Sequence, residues 1–140
     1  MGYRNILVAI ELNPKEDEIL ISRAKLLAQL EPHAKISLLN VVEFMDSYAM
    51  VTGVSDLDQV IVDYAQKEMS KLCLRFDLAE KNCIIRIGSA KDVILEQAQS
   101  EHYDLIVVGS HGRNNLGLLL GSATDKLLAI GPCDVLSVSV

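Results

Sequence analysis

Several features that would place a protein in a definite class are missing from this sequence. There is no excess of positive charge, because 13 lysines and arginines stand against 19 acidic residues and the net charge is −6. A general nucleic-acid or anionic-membrane binder needs a basic face, so neither partner is expected. No apolar run approaches the ~18 residues that span a bilayer, and no signal peptide precedes the first run at Ile6. We therefore expect a soluble cytoplasmic protein, with residues 1–140 forming one domain.

Cysteine is scarce and unclustered. Cys73, Cys83 and Cys133 are odd in number, and none belongs to a CxxC motif or a Cys/His cluster. Structural zinc sites and dithiol redox motifs require such clusters. We expect all three residues to be buried apolar thiols in a reducing compartment.

Short apolar runs alternate with amphipathic segments along the whole chain. The runs predict strands at 6–10, 36–42, 84–87, 105–108 and 136–140. A charge interrupts the third run, and polar residues alternate through the fifth, so these two suit sheet edges. Each helical segment follows a possible N-cap with an acid three residues later, namely Asn13, Ser55, Ser89 and Ser122. The resulting βαβαβαβαβ order predicts an open five-stranded parallel sheet with helices on both faces, a Rossmann-like α/β fold.

The apolar residues of each helical segment recur with a period of 3.6 and predict its buried face. The first face contains Leu20, Ala24, Leu27 and Ala28. The second face contains Leu57, Val60, Ile61, Tyr64, Ala65 and Met69. The third contains Val93, Ile94, Gln97 and Ala98, and a short fourth contains Leu127, Leu128 and Ile130.

The segment after the fourth predicted strand is the most unusual in the chain. Residues 109–121 contain four of the eight glycines. Glycine lets a backbone approach a phosphate closely, and Gly121–Ser122 opens a predicted helix whose free N–H groups favour an anion. The same residues also fit a surface loop before a capped helix, and both the P-loop and GxGxxG patterns are absent. The residues alone leave both interpretations open.

Individual polar residues near the strand ends also have two interpretations. His111 and Arg113 suit phosphate contacts or solvated positions in a loop. Glu11, at the end of the first strand, suits a ligand contact or a partner for the dipole of the next helix. No Ser, Cys or Asp is placed to form a nucleophilic set with His111, and no GxSxG elbow is present. We therefore assign no catalytic residue, although a hydrolase or adenylyl-transferase of related topology stays an alternative.

The strand order, the acid at Glu11, VGSHGR at 108–113 and LLLGS at 118–122 together resemble the universal stress protein family. The resemblance covers the whole chain. It implies a small cytoplasmic stress-response protein that forms homodimers and acts with a protein partner the sequence does not identify. One branch of the family binds ATP, ADP or AMP, with Mg²⁺ as a possible companion, through Gly-x₂-Gly-x₉-Gly-[Ser/Thr]. Another branch lacks this motif and acts as a dimeric adaptor.

The resemblance also implies the residues of a nucleotide site. Gly109 and Gly112 match the first two glycines of the motif, and Gly121 matches the last. The Val41 backbone matches the adenine contact, and Glu11 replaces the family's strand-one aspartate. The implied nucleotide-binding set is Ile10, Glu11, Asn13, Val41, Gly109, His111, Gly112, Arg113, Gly121, Ser122, Ala123 and Thr124.

Two departures from the family motif keep both branches open. Eight residues separate Gly112 from Gly121, where the binding motif has nine, and one residue shifts a chain by up to ~3.5 Å. Glu11 is one methylene longer than aspartate. Any ATP hydrolysis should be slow, because no residue is evident that would position the attacking water.

The last predicted strand has no covering helix after it. Its exposed edge, within 133–140, predicts antiparallel pairing with a second copy, and the resemblance implies the same homodimer. Alternatively, Ser137 and Ser139 blunt the edge, so that it does not pair with a second copy.

Overall fold

Strands and helices alternate along the described parts of the chain. The computed structural model describes residues 2–43, 56–109 and 133–140. Its elements are β1 (Asn5–Ala9), α1 (Pro14–Ala28), β2 (Lys35–Val42), α2 (Asp56–Arg75), a 3₁₀ turn (Glu80–Asn82), β3 (Cys83–Ile87), α3 (Ala90–Glu101), β4 (Leu105–Gly109) and β5 (Asp134–Val138). The predicted helix after Ser122 and the cap at Ser55 lie outside the described residues.

The five strands form one parallel sheet in the order β3-β2-β1-β4-β5. This order confirms the predicted α/β fold and places the two interrupted runs, β3 and β5, at the edges. Ile6 pairs with Ile36 of β2 on one side and with Leu105 of β4 on the other. The order of the strands along the chain therefore reverses between β1 and β4, at the centre of the sheet.

The core has two apolar layers, one on each face of the sheet. On one face, α1 and α2 cover alternate residues of the strands, with Ile21 fully buried. On the other face, α3 covers the remaining strand residues, and Ile94 is fully buried there. Burial on both faces explains why β1 and β4 are continuous apolar runs. Among the described residues, no helix combines the length and apolar character needed to cross a membrane.

The predicted buried face of α2 is wrong in its N-terminal half. Val60, Ile61 and Tyr64 are 62%, 42% and 58% exposed. Ala65 and Met69 are buried as predicted, and Asp58, Leu72 and Cys73 are buried as well. Two apolar stripes compete on this helix, and the stripe that continues through Met69 into the last turns is the one that contacts the sheet. A helix buries one stripe of this kind, so the other stays in solvent.

The predicted side-chain caps of α1 and α3 are also wrong. Asn13 and Ser89 stand at the N-cap positions with extended backbones, but neither side chain makes a capping hydrogen bond. At α3, the Ala90 N–H donates to Glu43 Oε1 at 2.5 Å. A carboxylate that follows β2 is a stronger acceptor for a helix N-terminus than a serine hydroxyl. The helix starts were predicted correctly, but a distant residue caps α3.

Cys73 and Cys83 form a disulfide between the last turns of α2 and the first residue of β3. Their Cα atoms lie 6.7 Å apart, within the range that a disulfide spans. Cys133 is free and buried, as expected. The expectation of three free thiols is therefore wrong for two of them. The pairing depends on the helix end meeting the strand start, which the spacing along the chain does not reveal.

This pairing makes a simple prediction for thiol counting. Purified protein that is oxidised in air, denatured without reductant and then alkylated should yield one modified cysteine, Cys133. After reduction, a second alkylating reagent should label the other two. Mass spectrometry of the peptides measures both steps. Three thiols that react before reduction would contradict the pairing.

Candidate functional site at the carboxyl edge of the sheet

The carboxyl ends of β1, β2 and β4 meet at one edge of the sheet, where the strand order reverses. Ligands of open α/β sheets bind at such a reversal. Ile10 and Glu11 follow β1, Val41 lies at the end of β2, and Gly109 ends β4. The fold therefore brings these four predicted site residues to the same edge.

A cavity on the β2 side of Glu11 is small. Ile10, Asn40, Val41 and Ala90 line it with Glu11, and its volume is about 10 Å³. That volume holds about one water molecule. The Asn40 amide donates to the Ile10 carbonyl at 2.9 Å at the same place. In the described part of the chain, protein atoms therefore leave space for about one water molecule beside Val41.

A second cavity lies on the β4 side of Glu11. Glu16, Asp17, Gly109 and Val140 line it, and its volume is again about 10 Å³. A Cβ added at Gly109 would lie 3.1 Å from Val140 Cγ2. Gly109 therefore has a packing reason to lack a side chain, in addition to the phosphate approach that its motif suggests.

The turn between β1 and α1 directs the helix start toward this edge. The Ile10 N–H donates to the Leu39 carbonyl at 2.9 Å and continues the β1–β2 ladder. Leu12 then adopts a φ of 61°, which is unusual for a residue with a side chain. Asn13 contributes its main chain, because its carbonyl accepts the Asp17 N–H at 2.8 Å.

Asp17 is the polar residue that sequence analysis missed. It is 1% exposed. Its Oδ1 accepts the Glu11 N–H at 3.4 Å, and its Oδ2 has no hydrogen-bond partner among the described residues. Its position three residues before Leu20 and seven before Ala24 places it on the buried stripe of α1. That position was a usable signal, because a carboxylate on an apolar stripe is rarely buried without a role.

Burial is the main cause of a large shift in the pKa of Asp17. It raises the pKa of this carboxyl to about 7. The negative charges of Glu11 and Glu16 raise it further, and hydrogen bonds from the main chain at Glu11 and Asn13 lower it. The group therefore exchanges its proton near neutral pH.

The remaining predicted site residues have no described position relative to this edge of the sheet. His111, Gly112, Arg113, Gly121, Ser122, Ala123 and Thr124 lie outside the described residues. Within the described residues, no group of three or more His, Cys, Asp or Glu side chains is arranged to hold a metal ion.

Comparison with known proteins decides the family. The model of the universal stress protein family matches residues 2–139. The chain belongs to this family. Universal stress protein A homolog 2 of Coxiella burnetii is 38% identical over 142 residues, which cover 99% of this chain and 97% of the relative.

Solved structures of universal stress proteins share the fold. Hypothetical protein MJ0577 superposes with a TM-score of 0.74 at 23% identity, covering 100% of this chain and 98% of that one. An Arabidopsis thaliana family protein with AMP bound, At3g01520, has a TM-score of 0.54 at 19% identity and covers 97% and 91%. The five-stranded parallel sheet of this chain is thus the sheet of the universal stress protein family.

Proposed function

We propose that this chain is a dimeric cytoplasmic regulator that binds ATP, ADP or AMP at the carboxyl edge of its sheet and is not a catalyst. One observation carries the proposal. Glu11 and Gly109 lie side by side where the strand order reverses, and Gly109 begins the motif that resembles the family's phosphate-binding loop. The AMP bound to the Arabidopsis relative supports the ligand class.

Each matched residue has a definite task in this proposal. The Val41 main chain contacts the base, and Glu11 contacts the ribose. Main-chain amides at Gly109, Gly112 and Gly121 hold the phosphates, together with the dipole of the helix that the sequence predicts after Ser122. Mg²⁺, when present, offsets part of the phosphate charge.

The described cavities fit this ligand only after a local rearrangement. Each holds about 10 Å³, far less than an adenine base. Glu43 occupies the N-terminus of α3 beside the base position, through its contact with Ala90. Binding therefore has a cost, and we expect moderate affinity.

The same cavities favour a second candidate, the dimeric adaptor that binds no nucleotide. The small cavity beside Val41, the longer side chain of Glu11 and the shortened glycine spacing all point in that direction. Titration of nucleotide-free protein with a fluorescent ATP analogue and Mg²⁺ separates the two functions. Saturation of the signal below a millimolar concentration of the analogue supports nucleotide binding. A signal that does not saturate at a millimolar concentration supports the adaptor.

Gly121→Asp should weaken nucleotide binding at least about 100-fold. The substitution adds a side chain and a negative charge where the motif requires main-chain amides to meet a phosphate. Gly117→Ala is the matched control, because Gly117 belongs to the same segment but not to the motif. The fluorescent ATP titration measures both variants. Equal affinity of Gly121→Asp and wild type would place the phosphate elsewhere.

We also propose that the homodimer forms through the exposed edge of β5, within 133–140. The Asp134 N–H donates to the Asp104 carbonyl at 3.0 Å, so Asp134 faces β4. Because main-chain groups alternate along a strand, Leu136 and Val138 face β4 as well, and Ser137 faces outward. A second copy would therefore pair with the main chain at Val135 and Ser137.

A further inference from the structure

The buried carboxyl of Asp17 has no task in nucleotide binding as proposed so far. The group lies in the first turns of α1, directly beneath Glu11. Its Oδ1 accepts the Glu11 N–H at 3.4 Å, and its Oδ2 makes no hydrogen bond within the described residues. A polar atom that is buried without a partner is costly, and such groups are usually retained for a purpose.

Asp17 forms part of the wall of the candidate site. It lines the small cavity that Glu11 and Gly109 share. On its other side it lines a groove of about 190 Å³ between α1 and α2. A charge on Asp17 would therefore act on both sides of the first turn of α1.

Among the described residues, the charged neighbours of Asp17 do not neutralise it. Glu11, at the end of β1, and Glu16, on the same helix, are both acidic and line the same cavity. On α2, Lys71 pairs with Glu68 at 3.1 Å, and the Arg75 guanidinium pairs with Glu18 at 3.1 Å. Gly109 and Val140 bring no charged side chain to the cavity. An ionised Asp17 would thus add a second negative charge close to Glu11.

We propose that Asp17 is a proton-linked positioning residue for the nucleotide site. With its proton, Asp17 supports the main chain of Glu11 and adds no charge. Without its proton, it places a negative charge beneath Glu11 and weakens the binding of an anionic nucleotide. The inference rests on the proposed function, and it adds control of that site by pH.

Thermodynamic linkage sets the direction of the effect. An anion that binds the protonated form more tightly must raise the pKa of Asp17 in return. A rise of about one unit in this pKa corresponds to a tenfold difference in nucleotide affinity between the protonated and the ionised form of Asp17. Because burial already raises this pKa to about 7, the loss of affinity should fall between pH 5.5 and 8.5. Affinity should be highest at the acidic end.

The test compares wild type and Asp17→Asn in the fluorescent ATP titration across that pH interval. The asparagine Oδ1 still accepts the Glu11 N–H, but the side chain does not ionise. The ratio of the two dissociation constants cancels the ionisation of the nucleotide itself. We expect the wild-type constant to rise about tenfold relative to the variant between pH 5.5 and 8.5. Asp63→Asn is the matched control, because Asp63 is exposed on α2 and lines neither cavity beside Asp17, and it should keep the wild-type pH profile.

Each outcome of this test decides a different question. Binding with the same pH profile in wild type and Asp17→Asn would overturn the role of Asp17 and leave nucleotide binding intact. Absence of binding in both proteins at every pH would overturn the proposed function, and the role of Asp17 with it.

A second measurement uses the wild-type protein alone, in case the variant does not fold. The carboxyl carbon of Asp17 and the amide of Glu11 should titrate together near pH 7 in NMR spectra. Saturating ATP should move that midpoint up by about one unit. A midpoint that ATP leaves in place would overturn the inference.

Discussion

Asp17→Asn is expected to stabilise the folded chain by about 2 kcal/mol at pH 8 relative to wild type, and by much less at pH 4. An unfolded aspartate has a pKa of about 3.9, whereas burial raises the folded value to about 7. Asp17 in the folded state therefore holds its proton more tightly, so the contribution of this residue to wild-type stability is greatest below about pH 4. It declines as the pH rises through 7. The difference of about three pKa units corresponds to a free energy of about 4 kcal/mol at most. Relaxation of the protein and penetration of water should reduce this free energy by about half.

Urea denaturation at pH 4, 6 and 8 measures this effect. The difference in free energy of unfolding between Asp17→Asn and wild type should grow with pH and level off above 7. Asp63→Asn is the control, since Asp63 is an exposed aspartate on α2 that lines neither cavity beside Asp17. A difference that stays constant from pH 4 to 8 would show that folding does not raise the pKa of Asp17.

Local signals in the sequence were sufficient for most of the described sheet. Ile6–Ile10 and Leu105–Val108 are continuous apolar runs, and a strand needs such a run only when both of its faces are covered. Arg86 interrupts the third run, and the serines interrupt the fifth, which is tolerable only at an edge. Because these patterns depend on a strand's own burial, they predicted that β3 and β5 lie at the edges of the sheet.

The features that the sequence did not predict all depend on contacts between distant residues. Ser89 was a reasonable cap for α3, but the fold brings the Glu43 carboxylate to Ala90 across 47 positions. Tyr64 was a reasonable core residue, but the rotation of α2 is set where Met69 contacts the sheet. Cys73 and Cys83 meet because a helix end and a strand start become neighbours.

The candidate site also combines features that local sequence signals predicted with features that depend on distant contacts. Glu11 and Gly109 were predicted at strand ends, and parallel strands bring their ends together without further information. The burial of Asp17 needed only the helical period, but its proximity to the Glu11 main chain needed the turn at Leu12, whose φ of 61° no sequence pattern indicated. The small size of the two cavities also emerged only from the packing of Val140 against Gly109 and of Asn40 against Ile10.

The edge of β5 offers a substitution that tests the dimer without disturbing the monomer. Val138 is 3% exposed and belongs to the core, so a charge at this position would damage the fold itself. Ser137 is exposed, and its main chain points away from β4. Proline is compatible with an edge strand at a position whose N–H faces solvent, because no hydrogen bond of the ladder is lost.

Ser137→Pro should therefore convert the homodimer to a monomer that remains folded. In a two-fold antiparallel pairing the substitution acts twice, because each copy loses an N–H donor at the interface. Two lost hydrogen bonds of about 1.4 kcal/mol each weaken the dimer about 100-fold. Sedimentation velocity at micromolar concentration measures the association state, and thermal unfolding monitored by circular dichroism checks the fold. Ser137→Ala keeps the N–H and should stay dimeric. A Ser137→Pro variant that sediments as a dimer would show that the two copies meet on another surface.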